Sequence, residues 1–121
     1  MKSLKILVID DEEVICEGCR LILNERGHCV EHCMTGKTGM LAIEQNEYDV
    51  ILLDLKLPDI DGINILKTID VKNQMPCLIV MTGYATVSTA LQSMKLGAVD
   101  YLAKPFTEDE LIEAVETNCM Q

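Results

Sequence analysis

The stretch DVILLDLKLPDIDG, residues 49–62, decides the fold of this chain. Its residues 50–53 form a continuous apolar run without alternation, which is typical of a strand buried on both faces of a parallel sheet. The run ends in Asp54, and open parallel sheets bind their ligands just beyond the carboxyl ends of their strands. Pro58 and Gly62 then mark a turn-forming loop, because proline restricts φ and glycine permits unusual backbone conformations. The stretch therefore predicts a functional role for Asp54, against the alternative that this carboxylate only caps the following turn.

The composition predicts a single domain, over residues 1–121, with an aliphatic core. Hydrophobic residues make up 49% of the chain, whereas aromatic residues make up only 3%. The formal net charge of -10 argues against direct binding to nucleic acid or to an anionic membrane, because both present phosphates to lysine and arginine. Residues 1–4 lack the apolar segment of a secretory signal, and no apolar stretch approaches the ~20 residues of a membrane span. We therefore expect a cytoplasmic protein whose small partner is a cation.

Six cysteines are many for a chain of this length, and the sequence invites a metal-site interpretation. Cys16 and Cys19 fall in a helical pattern. Cys29 and Cys33 lie in a predicted strand, where four residues span ~13 Å and cannot close on one ion. We therefore interpret the cysteines as buried or half-buried thiols in a reducing compartment, and His28 as a solvated or edge residue. The full set of cysteines is Cys16, Cys19, Cys29, Cys33, Cys77 and Cys119.

Apolar runs and helical patterns alternate along the whole chain. The predicted strands cover residues 5–9, 29–33, 50–53, 77–81 and 98–103. The predicted helices cover residues 13–26, 38–45, 63–69, 86–96 and 107–118. The fourth helix is inferred from the apolar residues Val87, Ala90, Leu91 and Met94. Because strand and helix alternate five times, we predict a doubly wound α/β sandwich around a parallel sheet with right-handed crossovers.

Polar side chains from four predicted strands meet at one edge of this sheet. They are Asp10 and Asp11 after the first strand, Asp54 after the third, Thr82 after the fourth and Lys104 after the fifth. Carboxylates this close repel one another unless a cation lies among them, and Mg²⁺ prefers oxygen ligands. Lys104 adds a mobile positive charge and Thr82 a hydroxyl. These groups are the parts needed for Asp54 to take up a phosphoryl group as an aspartyl phosphate.

Five motifs in this order make the whole chain resemble the receiver domain of bacterial two-component response regulators. They are Asp10-Asp11, residues 54–62, Thr82-Gly83-Tyr84, residues 97–101 and Lys104-Pro105-Phe106. The resemblance implies a flavodoxin-like (βα)5 sandwich whose five parallel strands lie in the order 2-1-3-4-5. More narrowly, residues 81–106 are similar to receivers of nitrogen-regulator-class transcription activators, which carry an AAA+ ATPase and a DNA-binding domain downstream. The 121 residues contain no such output domain.

The resemblance also implies a metal site with Mg²⁺ as the cofactor. Asp11 and Asp54 would bind the ion directly. Asp10 would act through water, and Lys56 would contribute its backbone carbonyl. A sensor histidine kinase would then phosphorylate Asp54 in the presence of this ion.

By the same resemblance, Thr82 and Lys104 would contact the phosphoryl group. The Lys104-Pro105 peptide bond is expected to be cis. Tyr101 would be the aromatic switch, which rotates into the space that Thr82 leaves when it moves toward the phosphoryl group. The alternative is that Tyr101 is only a strand aromatic packed on the fourth helix.

The function that the resemblance implies is a phosphoacceptor signalling switch, not an enzyme in its own right, although the domain would assist its own phosphorylation and slow dephosphorylation. The changed surface of helix four, strand five and helix five would control a downstream output, expected to be transcription. Whether phosphorylation also drives homodimerisation stays open. Lys56 and Tyr84, two residues after Asp54 and Thr82, are expected either to limit the access of water to the aspartyl phosphate or to be simply exposed loop side chains.

Three other classes of protein remain as alternatives. A flavin or nucleotide binder of similar topology would need a glycine-rich or hydroxyl-rich loop after the first strand, and the acids at residues 10–13 would repel phosphates. A cysteine-based metal or redox protein would need converging ligands. A degenerate receiver that acts only as a binding surface is disfavoured by the complete set of acids, Thr82 and Lys104.

Overall fold

The computed structural model describes residues 2–70 and 76–120 of the chain. The predicted domain, 1–121, therefore includes seven residues outside this part: residues 1, 71–75 and 121. Five strands form one sheet, and all neighbouring strands are parallel. They are β1 (Lys5–Ile9), β2 (Cys29–Cys33), β3 (Val50–Asp54), β4 (Cys77–Thr82) and β5 (Ala98–Ala103). Their order is β2-β1-β3-β4-β5, so the predicted doubly wound topology is confirmed.

Five helices connect and follow these strands, as the sequence predicted. They are α1 (Glu13–Glu25), α2 (Gly36–Gln45), α3 (Gly62–Asp70), α4 (Val87–Lys95) and α5 (Glu108–Cys119). The helix α2 begins two residues before its predicted start, because the Thr35 side chain caps it by accepting a hydrogen bond from the amide of Thr38. The predicted capping box at the start of α5 is present between Thr107 and Glu110. Within the described residues, no helix has the length and apolar character that crossing a membrane requires.

The sheet divides the core into two aliphatic layers, because successive side chains of a strand point to opposite faces. On one face, Val50 and Leu52 of β3 pack in the layer that contains the buried side of α1 and α5. On the other face, Ile51 and Leu53 pack in the layer that contains the buried side of α3. Every residue of β3 is buried, which places Asp54 at the end of the most enclosed part of the chain.

The helix α4 exposes three of the four apolar residues from which it was inferred, and only Ala90 is half-buried. Val87 is 77% exposed, Leu91 59% and Met94 46%. The side facing the protein carries Ser93, which is buried, and Thr89, which is half-buried. The predicted helix is therefore present, but its apolar residues do not form its buried side. A helical spacing of apolar residues predicts a helix, but the direction in which that face points depends on tertiary packing.

Two cysteines form a disulfide that the sequence interpretation did not foresee. Cys77 at the start of β4 is bonded to Cys119 at the end of α5, with 5.8 Å between their Cα atoms. The interpretation of most of the cysteines as buried or half-buried thiols therefore does not hold for this pair. It agrees with the structure for Cys16 and Cys19, which are buried, and burial raises the pKa of these thiols to about 11 and about 12.

His28 is buried, so its interpretation as a solvated residue is wrong. Its Nδ1 accepts a hydrogen bond from the backbone amide of Leu4 at 3.1 Å. Its Nε2 lies 3.0 Å from a carboxylate oxygen of Glu116 on α5. Because Nδ1 is an acceptor, the ring proton is on Nε2 and is donated to Glu116. His28 thus helps to join the region after α1 to α5.

Candidate functional site

Four strands deliver the polar side chains of the site to one edge of the sheet. Asp10 follows β1, Asp54 ends β3, Thr82 ends β4 and Lys104 follows β5. Asp10, Asp54 and Thr82 are buried polar residues at the carboxyl ends of parallel strands, where open sheets bind ligands. The site thus brings together the buried polar residues that the sequence placed there.

The ammonium group of Lys104 lies among three carboxylates. Its Nζ is 2.7 Å from Oδ2 of Asp10, 2.9 Å from Oε1 of Glu12 and 3.3 Å from Oδ2 of Asp54. The Lys104-Pro105 peptide bond that follows is cis. A single cation therefore holds acids from β1, from the start of α1 and from β3 close together.

The remaining oxygens of the two buried aspartates are held by backbone amides. Oδ1 of Asp54 accepts a hydrogen bond from the amide of Lys56 at 3.1 Å, and Oδ1 of Asp10 accepts one from the amide of Glu12 at 2.9 Å. Oδ2 of Asp10 is buried and has no hydrogen-bond donor. Its 2.7 Å contact with Lys104 is an ion pair whose angles fall outside those of a hydrogen bond. This oxygen therefore retains capacity for a further cationic or donor group.

Burial and charge act in opposite directions on these acids. Burial raises the pKa of Asp54, while the Lys56 amide and Lys104 oppose this shift and the nearby charge of Asp11 adds to it. Burial likewise raises the pKa of Asp10, against the effect of Lys104. For Lys104 itself, burial would lower the pKa, but its interactions with Asp10 and Glu12 outweigh burial and leave the pKa raised. The lysine stays charged, and it favours the ionised form of Asp54.

The oxygen atoms of this site fit a hard divalent cation. Asp10, Glu12 and Asp54 each offer a carboxylate oxygen, and these oxygens lie within 4.8 Å of one another. Carboxylate oxygens are the ligands that Mg²⁺ prefers, and the unpartnered Oδ2 of Asp10 is available to a cation or to its water. Within the described residues, this is the one such group of acids, histidines or cysteines, and it contains no cysteine. That composition disfavours the cysteine-based alternative.

The structure places two acids differently from the sequence analysis. Asp11 is exposed and does not belong to the group of converging oxygens, although its charge acts on Asp54. Glu12, which was not singled out, contacts Lys104 instead. The only signal in the sequence was its position directly after Asp10 and Asp11, because its contact with Lys104 spans 92 positions of the chain.

The predicted switch residues are linked to the start of α4. Thr82 is fully buried, and its hydroxyl accepts a hydrogen bond from the amide of Tyr84 at 3.0 Å. Tyr101 is half-buried, and its hydroxyl lies 2.7 Å from that of Thr89. Thr89 in turn forms the capping box of α4 with Thr86. The ring of Tyr101 is therefore tied to the first turn of this helix.

Lys56 and Tyr84 contact each other across the site. The Nζ of Lys56 lies 5.1 Å from the centre of the Tyr84 ring, which is a cation–π distance. Both side chains are exposed, which agrees with the expectation that they are exposed loop side chains. They nevertheless join the loop after β3 to the loop after β4, beside Asp54 and Thr82.

The loop after Asp54 is fastened at both ends. The carboxylate of Asp59 accepts hydrogen bonds from the amides of Gly36 and Lys37, at 2.8 and 2.9 Å, and so caps α2. A Cβ atom on Gly62 would lie 2.5 Å from Cα of Leu55, so this close approach requires glycine. The backbone that carries Lys56 is therefore held in one position relative to Asp54.

A parallel sheet of order 2-1-3-4-5, with acids and a lysine at its carboxyl edge, defines a flavodoxin-like α/β protein with a charged site at this edge. The family model of the response regulator receiver domain matches residues 6–116. The chain belongs to this family, as its motifs predicted.

Relatives and solved structures agree with this assignment. Transcriptional regulatory protein ZraR of Salmonella typhimurium is 33% identical over 114 residues, which are 94% of this chain and 26% of that protein. The chain thus spans about a quarter of the length of this curated relative. The receiver domain of the Francisella response regulator 1452 is 33% identical, with a TM-score of 0.89 over 95% of both chains.

A second solved structure bears on the chemistry of the family. It is a response regulator from Burkholderia pseudomallei, described as containing a phosphorylated aspartic acid, a calcium ion and citrate. It is 31% identical to this chain, with a TM-score of 0.84 over 95% of this chain and 68% of that one.

Proposed function

We propose that this receiver domain is the phosphoacceptor of a two-component phosphorelay in the cytoplasm, and that Asp54 receives the phosphoryl group from a phosphohistidine of a sensor kinase. The observation that carries the proposal is the placement of the Asp54 carboxylate, which ends a buried strand with Oδ2 facing Lys104 at 3.3 Å. The phosphorylated aspartate of the Burkholderia response regulator supports it by similarity.

The chemistry assigned to Asp54 needs no general base. Its ionised carboxylate attacks phosphorus, the new O–P bond forms as the P–N bond to the kinase histidine breaks, and the electron pair returns to the imidazole. The Lys56 amide orients the carboxylate through Oδ1. Lys104 and Thr82 are proposed to bind the phosphoryl oxygens, because an ammonium and a hydroxyl both donate hydrogen bonds to them.

We propose that the domain binds Mg²⁺ at this edge through Asp54, Asp11 and the Lys56 carbonyl, with Asp10 acting through water. When bound, the ion supplies positive charge that offsets the charge of the transferring phosphoryl group. The buried Oδ2 of Asp10, which is ion-paired with Lys104 but accepts no hydrogen bond, supports this assignment. The domain acts as a switch that assists its own phosphorylation and dephosphorylation, not as an enzyme with a separate substrate.

The proposed output is a change at α4, β5 and α5. Thr82 moves toward the phosphoryl group, and Tyr101 rotates away from Thr89, which changes the start of α4. We propose that this surface controls transcription through an output domain, since ZraR bears the name of a transcriptional regulator. Homodimerisation after phosphorylation stays a prediction from the resemblance, and light scattering of the phosphorylated domain checks it.

The test is incubation with acetyl phosphate and Mg²⁺, followed by intact-mass spectrometry. We expect the mass of one added phosphoryl group, which hydroxylamine removes as it does any acyl phosphate. The Asp54→Ala variant should show no adduct. Absence of the adduct in the unsubstituted domain, or its persistence in Asp54→Ala, contradicts the proposal.

A further inference from the structure

Glu12 stands at the N-cap of α1 but does not cap that helix. Its side chain makes no capping hydrogen bond to the first turn. Its carboxylate reaches across the site and accepts a hydrogen bond from Nζ of Lys104 at 2.9 Å. The side chains that usually cap a helix start are those of Ser, Thr, Asp and Asn, and the longer side chain of Glu12 contacts Lys104 instead.

The ammonium group of Lys104 is crowded by carboxylates. It donates hydrogen bonds to Glu12 and Asp54, and Oδ2 of Asp10 lies 2.7 Å away as an ion pair. A phosphoryl oxygen that approaches Lys104 therefore competes with these carboxylates for the ammonium group.

Exposure decides which neighbour is replaced. The side chain of Glu12 is 59% exposed, whereas that of Asp10 is 0% and that of Asp54 5% exposed. A carboxylate at the surface regains water when it leaves the ion pair, but the buried carboxylate of Asp10 would lose its partner without gaining a solvent shell, and Asp54 is the residue that carries the phosphoryl group in the proposed reaction. Glu12 is thus the neighbour that leaves at the lowest cost.

We propose that Glu12 is a positioning residue that holds Lys104 in the resting domain and releases it to the incoming phosphoryl group, and that this exchange sets how readily the domain is phosphorylated. The inference rests on the proposed function, because it assumes that Lys104 binds the phosphoryl group on Asp54. The inference concerns how readily Asp54 is phosphorylated, and not whether it is phosphorylated.

Three substitutions separate contact from charge. Glu12→Gln removes both the charge and the ion pair. Glu12→Asp keeps the charge but shortens the side chain by one methylene, which withdraws the carboxylate from Lys104. Glu13→Gln is the matched control, because Glu13 is the exposed neighbouring acid in the first turn of α1 and makes no contact with Lys104 among those observed.

The first measurement is the dependence of the phosphorylation rate on acetyl phosphate concentration, at saturating Mg²⁺, by intact mass. We expect Glu12→Gln to lower the half-saturating concentration by about fivefold, the fold-change that corresponds to an exposed ion pair of about 1 kcal/mol. Glu12→Asp should show a shift in the same direction, and Glu13→Gln a change of less than about twofold.

The second measurement needs neither metal nor phosphoryl donor. The lysines of the metal-free domain are labelled biosynthetically with ¹³C at Cε, which leaves the ammonium group intact, and the Lys104 signal is assigned from its loss in Lys104→Arg. We expect this signal to shift in Glu12→Gln and Glu12→Asp but to stay in place in Glu13→Gln. Thermal melts should differ by no more than the few degrees that an ion pair of about 1 kcal/mol accounts for, since Glu12 and Glu13 are exposed.

The outcomes distinguish this inference from the proposed function. If the unsubstituted domain takes up no phosphoryl group, the proposed function fails. If it is phosphorylated but Glu12→Gln and Glu13→Gln have equal half-saturating concentrations, the inference is overturned and the proposed function stands. An unmoved Lys104 signal in Glu12→Gln also overturns the inference.

Discussion

At the residue scale, the ammonium of Lys104 decides the electrostatics of the site. Asp10 and Asp54 are buried, and burial alone would favour their protonated, uncharged forms. Lys104 contacts both acids and opposes that shift. Because an aspartate must be ionised to attack phosphorus, the lysine prepares Asp54 for the proposed reaction before any phosphoryl group arrives.

The contact between Lys56 and Tyr84 leads to a prediction at this scale. If their side chains limit the access of water, Tyr84→Ala should shorten the lifetime of the aspartyl phosphate. We expect an effect of about two- to fivefold, the range that a cation–π contact of about 0.5–1 kcal/mol can produce. The measurement follows the loss of the phosphoryl adduct with time by intact mass.

The matched control is Tyr48→Ala. Lys5 lies 5.1 Å from the centre of the Tyr48 ring, so this pair has the same distance as Lys56 and Tyr84. It sits beside the start of β3, at the opposite end of the strand from Asp54. Equal lifetimes in Tyr84→Ala and the unsubstituted domain would leave Tyr84 as an exposed loop side chain without a role in hydrolysis.

At the element scale, α4 and α5 are held in different ways. The half-buried side of α4 is polar, with Thr89 bonded to Tyr101 and the Ser93 hydroxyl donating to the Thr89 carbonyl at 2.8 Å. The helix α5 packs aliphatic side chains on the core and adds an ion pair at its far end, between Glu116 and Arg26. A helix fastened by polar contacts to one tyrosine is suited to move, whereas α5 is fixed by burial.

The ion pair of α5 leads to a prediction about pH. Hydrogen bonds from Arg26 lower the pKa of Glu116 from its usual 4.5 to about 2, while partial burial opposes this shift and His28 adds to it. Because the pKa in the folded state lies below that of the unfolded chain, the pair contributes stability in full above pH 4.5. That contribution is lost as the pH falls through about 2.

We therefore expect Glu116→Gln to be less stable than the unsubstituted domain at neutral pH, and to lose less of its remaining stability between about pH 4.5 and about pH 2. Urea denaturation at a series of pH values, followed by circular dichroism, measures this difference. Glu113→Gln is the control, because Glu113 is an exposed acid on the same helix. If Glu116→Gln lost as much stability as the unsubstituted domain between about pH 4.5 and about pH 2, the ion pair would not contribute to stability.

At the scale of the whole molecule, a covalent bond joins the sheet to the last helix. The disulfide between Cys77 and Cys119 links the start of a central strand to the last residue of the last helix. It lies at the amino edge of β4, whereas Thr82 ends the same strand at the edge that carries the site. The bond can therefore add stability without touching the residues of the candidate site.

We expect the oxidised domain to be more stable than the reduced domain by about 4 kcal/mol, because the bond closes a loop of 42 residues in the unfolded chain. Urea denaturation with and without a thiol reductant measures the difference. Cys77→Ser should remove the response to the reductant, and Cys29→Ser, at an exposed free cysteine, should retain it. An unsubstituted domain with equal stability in both conditions would contradict this prediction.

The sequence by itself determined the elements and their order. Continuous apolar runs mark buried strands, and a polar residue directly after such a run lies at the carboxyl edge of a parallel sheet. This local information was enough to place Asp10, Asp54, Thr82 and Lys104 at one edge, because their positions follow from topology. It was also enough for the family, since the motifs are short and stand in a fixed order.

Only the tertiary structure decided which side chains become partners. Glu12 and Lys104 are 92 positions apart, and His28 and Glu116 are 88 apart. Tertiary packing also decided that Cys77 pairs with Cys119. It decided as well which face of α4 is turned to the core. Spacing along a helix or strand gives the direction of a side chain only relative to its own element. The packing of the elements then selects the atoms that meet, and in this domain it turned an ordinary helix-start glutamate toward the lysine of the site.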